Sequence, residues 1–191
     1  MHIIESSCRA TLAVFFSCAT FLLASPGAVA RPFAKAAIEI QGGSRPLVLT
    51  AYPTGPGGRH ILARRYDIAL SKLAVANPGS WSLTNLCVIH TASKEWVNAR
   101  TACDGAVEAA LRDRKLASYK SSSAERVRPD TYVAIAYANR AVMFLLSRDI
   151  AAARRDLLQA RAIRPQASYV TGNLEAIRDL EHDLRSSTEC P

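Results

Sequence analysis

Apolar positions change their spacing twice along the chain. Residues 10–24 form an almost unbroken apolar run. Ile38 and Ile40 then alternate weakly and lead into Leu47-Val48-Leu49, and from His60 onward the spacing turns to three and four. The last pattern predicts helices. One covers the Ile61–Ala76 region and stops at Asn77-Pro78-Gly79. The next runs over 81–92 and breaks at Ser93-Lys94, and another continues to about Leu111. A polar stretch, 112–130, is expected to interrupt the helices, with Asp130 capping a helix that runs to about Ser147. Further helices are expected over 150–163, closed by Pro165, and over 168–185, with Leu174, Ile177, Leu180 and Leu184 facing inward. Residues 31–59 read either as a hairpin turning at Gly42-Gly43 or as an extended tail on the helical body, and the tail is preferred. Gly55-Pro56-Gly57-Gly58 has no following Lys-Ser/Thr and reads as a linker turn rather than a phosphate loop.

Small residues recur inside the helical half. Tyr66, Trp96 and Ile150 are each followed three residues later by alanine (Ala69, Ala99, Ala153), and alanine returns at Ala76, Ala106 and Ala160. Upstream of the last two segments, Asn85 and Asn139 each stand two residues before a small residue, Cys87 or Ala141. Small side chains let two helices approach near the short end of the 8–10 Å range. The recurrence predicts stacked helix pairs rather than independent helices.

Tyr137, Asn139, Ala141, Phe144, Ile150, Ala153, Leu157, Ala160 and Pro165 carry a resemblance to the tetratricopeptide repeat family, and residues 83–110 resemble it less completely. The implied fold is all-α: a short superhelical array of antiparallel helix pairs behind an extended N-terminal segment. Its parts would be a degenerate half repeat at 61–78, repeats at 80–111 and 134–165, and a capping helix at 168–185, within a domain spanning 60–186. Ala106 and Ala160 lie 54 residues apart, about twenty more than the family's usual ~34, so the 112–130 insertion is expected to disturb stacking. The resemblance also implies a concave groove of Trp81, Thr84, Asn85, Val88, Ile135, Asn139, Val142 and Leu145, able to hold a peptide. Thr84 and Ala138 stand where carboxylate-clamping members carry lysine, so an apolar segment or helix is the expected ligand. The implied function is a non-enzymatic interaction module for a peptide or protein partner. The alternative is a structural or oligomerisation component, its groove filled by the N-terminal segment or by another copy.

Composition modifies this picture in three places. The apolar run ends in Ala28-Val29-Ala30 after Pro26-Gly27, which predicts a cleaved signal peptide over 1–30 and a periplasmic or secreted location. The formal net charge of +8 suits attraction to an anionic envelope surface; with the bases scattered among acids, nucleic acid is not expected as a partner. Cys87 and Cys103 fall on facing helices of one repeat, where a disulfide and two buried thiols are the alternatives, and Cys190 is free to link to a second copy. Cys87-x-x-His90 with Cys103 offers three metal ligands on paper, but His90 stands where a core aromatic is expected, and no metal or cofactor is assigned. Arg140 and Asp156 are expected to form an ion pair between the two helices of one repeat. His60, His90 and His182 have no nucleophile or metal triad around them, so catalysis is not expected.

Overall fold

The same three-residue link joins helices at three places. A computed structural model describes residues 37–41, 44–119 and 123–188. In it, Arg64, Lys94 and Arg148 have left-handed backbones with φ of 57°, 59° and 68°. Each is followed two residues later by the first residue of a helix: Tyr66, Trp96 or Ile150. At each link the next amide reaches back five residues. Arg65 donates to the His60 carbonyl, Glu95 to His90 and Asp149 to Phe144, at 2.8, 2.9 and 2.8 Å. The left-handed residue itself donates three residues back, to Ile61, Thr91 or Leu145. This pair of bonds closes a helix end by satisfying carbonyls that have no intrahelical partner. It also fixes the angle at which the next helix returns, so the repetition in the sequence is a repetition of geometry.

The elements in order are β1 (Ala37–Gln41), β2 (Pro46–Thr50), α1 (Gly58–Leu62), α2 (Tyr66–Ala74), α3 (Ser80–Ala92), α4 (Trp96–Ser118), α5 (Ser123–Leu146), α6 (Ile150–Ile163) and α7 (Ser168–Thr188). The protein is all-α in class, with one two-stranded sheet among the described residues. Helices α3 and α4 pack as one pair and α5 and α6 as the next, with α4 against α5 and α7 against α6. Ala69, Ala99, Ala153, Ala106, Ala160, Cys87 and Ala141 are all fully buried, as the small-residue pattern requires. Asp149 caps α6 by accepting from the Ala152 amide at 3.0 Å.

Several boundaries differ from the sequence expectation. The polar 112–130 stretch does not separate the pairs. Helix α4 continues to Ser118 and α5 begins at Ser123, so most of the extra length lengthens two packed helices. Arginine, lysine and glutamate are good helix formers, and polarity alone ends nothing. Asp130 therefore lies inside α5, where it faces Arg114 at 3.6 Å instead of capping. The 61–78 segment is two short helices, α1 and α2, and Ala76 lies beyond the second, half-buried. In α7, Leu174 and Ile177 are buried and Leu180 packs against the core, but Leu184 is half exposed.

The N-terminal segment is a hairpin and not the simple tail expected. β1 and β2 pair antiparallel, with Ile38 opposite Leu49 and Ile40 opposite Leu47. Ile38, Leu47 and Leu49 are buried in the main core. A lone tail would have left one edge of β2 without hydrogen-bond partners, a cost that pairing removes. The expected turn at Gly42-Gly43, the signal peptide over 1–30 and Cys190 lie outside the described residues.

Candidate functional site

A strand has two hydrogen-bonding edges, and alternate residues serve opposite edges. In β2, Leu47 and Leu49 face β1. The other edge, at Val48 and Thr50, meets helices α7 and α5, and the same line continues to Tyr52 beside α3. A helix has no free backbone to complete a sheet, so side chains must do it. A primary amide suits this task, since one carbonyl and one NH2 in a plane reproduce the donor and acceptor of a neighbouring strand.

Three asparagines supply those amides. Val48 donates its N–H to Asn173 Oδ1 at 2.8 Å, and Asn173 Nδ2 donates to the Val48 carbonyl at 2.9 Å. Thr50 and Asn139 make the same pair of bonds at 2.8 Å each. Tyr52 donates to Asn85 Oδ1 at 2.8 Å, while Asn85 Nδ2 donates to the carbonyls of Tyr52 at 3.2 Å and Pro56 at 2.9 Å. All three asparagines are fully buried. The segment thus lies in the helical wall as a strand in a sheet, clamped at every second residue. It runs from the last helix towards the first.

The ends of the segment are held differently. At the α7 end Arg45 bonds Glu175 at 2.8 Å and Asp179 at 2.5 Å, both across exposed surface. At the α3 end the Tyr52 ring enters an aromatic box. It stacks on Trp81 with centroids 5.6 Å apart and meets Tyr132 edge-on at 5.3 Å; Trp81 and Tyr132 meet edge-on at 5.6 Å. Burial, and then the neighbouring Tyr132, push the Tyr52 phenol well above its usual range. The chain then folds back tightly. Gly55 donates to the Tyr52 carbonyl, Gly57 turns left-handed, and the Tyr52 carbonyl oxygen lies where a Cβ on Gly58 would be. Gly55-Pro56-Gly57-Gly58 is therefore the turn that returns the strand to α1, as the sequence suggested.

Thr84, Val88, Ile135, Val142 and Leu145 are buried together with Asn85 and Asn139, and Trp81 keeps only part of its surface exposed. The sequence offered the N-terminal segment as one of two possible occupants but did not point to Asn173 or Tyr132. Asn173 stands 34 residues after Asn139, and an asparagine recurring at that distance was the signal for it. Away from the groove, Cys87 and Cys103 form a disulfide between α3 and α4, so neither sulfur is a free thiol or a metal ligand. Arg140 forms the expected fork on Asp156 at 2.6 and 3.0 Å and adds Asp104 of α4 at 2.9 Å, tying three helices together. Burial opposes its charge, but the bonds and charges of Asp156 and Asp104 outweigh this and raise its pKa. The chain matches no known protein-family model, no curated protein and no solved structure.

Proposed function

We propose that this chain is a non-enzymatic, tetratricopeptide-like helical module whose concave wall receives an extended strand, and that its own residues 46–56 occupy that wall. The observation that carries this reading is the ladder of paired amide bonds to Val48, Thr50 and Tyr52. Of the two functions weighed from the sequence, the structural component with a self-filled groove is better supported than a module with an open groove. A tethered occupant acts at an effective concentration in the millimolar range, so an untethered peptide of equal quality competes poorly. Partners then meet the outer surfaces of the module. The disulfide supports the exported location inferred from the apolar leader, since such bonds persist in oxidising compartments.

Amide hydrogen exchange tests the occupancy. The Val48, Thr50 and Tyr52 amides should be protected about as strongly as the core of α5. Exchange at the rate of exposed loop amides, with the helices still protected, would mean that the segment does not sit in the wall.

A further inference from the structure

The asparagine ladder has a property that its geometry alone leaves unresolved. Its clamps repeat every second residue and touch only main-chain atoms. A slip of the strand by two residues keeps every side chain on its own face and re-forms the same bonds. In one direction the slip brings Pro46 to Asn173, and proline has no N–H to donate. In the other direction it brings Thr50 to Asn173, Tyr52 to Asn139 and Thr54 to Asn85, with a donor at each place. The ladder therefore cannot choose this register against that one. The aromatic box can, because only one residue of the segment carries a ring that fills the space between Trp81 and Tyr132.

Resting on the strand-receiving reading above, we propose that Trp81 and Tyr132 form the specificity pocket of this groove, and that its ligand class is an extended segment with an aromatic residue at the place Tyr52 fills. The main chain supplies the grip and the ring supplies the address. Three features agree with this division. Thr50, clamped between Val48 and Tyr52, is held by Asn139 through its main-chain atoms, so the middle of the segment is gripped through its backbone. Asn85, next to the box, is the one asparagine that makes a third bond, to Pro56, and this holds the chain end that leaves the pocket. The box is also built from two different helices, α3 and α5, so that it forms only when the wall is assembled. An external strand of the same chemistry would meet the same box once the internal ring is removed.

The test uses the full chain carrying Tyr52→Ala, with Tyr52→Phe as the conservative variant. Protection of the Val48, Thr50 and Tyr52-position amides should fall at least about tenfold in the alanine variant relative to the helices, and return in the phenylalanine variant. A labelled synthetic peptide of residues 44–58 should then bind the Tyr52→Ala chain at least about tenfold more tightly than the same peptide with alanine at that place. Equal binding of the two peptides, or binding of neither while the helices stay protected, would overturn the proposal. So would a parallel loss of protection in every helix, which would make Tyr52 an ordinary core residue. If the three amides are already unprotected in the unmodified chain, the strand-receiving reading itself fails; if they are protected there and unaffected in Tyr52→Ala, only the pocket does.

Discussion

At the residue scale, the fold depends on amides that have no substitute. Asn139 is fully buried and bonds both the Thr50 N–H and the Thr50 carbonyl. Alanine there would strand a buried donor and a buried acceptor, each costing about 1–3 kcal/mol. Asn139→Ala should therefore lower unfolding stability by about 2–4 kcal/mol in urea titration, while Asn98→Ala, on an exposed surface, should change it little. The phenols make a second test. Burial raises Tyr169 to about 12 against the opposing charge of Arg164, and burial also holds Tyr52 well above its usual range. These groups keep their protons in the folded state while the unfolded chain releases them near pH 10. The stability that Tyr169 contributes in this way is complete below pH 10 and is lost as pH rises towards 12, and the contribution of Tyr52 is lost in the same direction. The urea midpoint should fall between pH 9 and 11.5, and less so in Tyr169→Phe.

At the scale of the element, each helix pair is closed by the same hydrogen-bonded link, and the pair α3/α4 is closed a second time by Cys87–Cys103. The bridge spans 16 residues of sequence, for which loop closure predicts about 3 kcal/mol. Cys87→Ser with Cys103→Ser should lower stability by about that amount. Because Asn85 is on the same helix two residues before Cys87, the Tyr52 amide should lose protection before Val48 does. The elements also show how far pattern reading reaches. Large-to-small spacing located the α3/α4 and α5/α6 pairs, because close packing restricts what fits at a contact. Polarity mislocated the gap between α4 and α5, because solvent tolerates charge on any exposed helical face.

For the whole molecule, three helices far apart in sequence converge on a single strand. Residues 48, 50 and 52 meet residues 173, 139 and 85, so the occupant binds the repeats together in reverse order. Deleting residues 31–58 should expose the apolar wall of Val88, Ile135 and Val142. A dye that reports apolar surface should brighten, the melting temperature should drop, and light scattering should show association. Retention of the full melting temperature after deletion would contradict a structural role for the segment. The sequence by itself determined the helical class, the pairing of α3 with α4 and of α5 with α6, and two of the three clamping asparagines. These follow from local spacing and from which side chains can stand at a close contact. Only the tertiary structure decided that the groove is occupied, that Asn173 completes the ladder, and that Tyr52 enters a box made by Trp81 and Tyr132. Those facts depend on which backbone edge meets which amide across 33, 89 and 125 residues, and no periodicity within one segment encodes those distances.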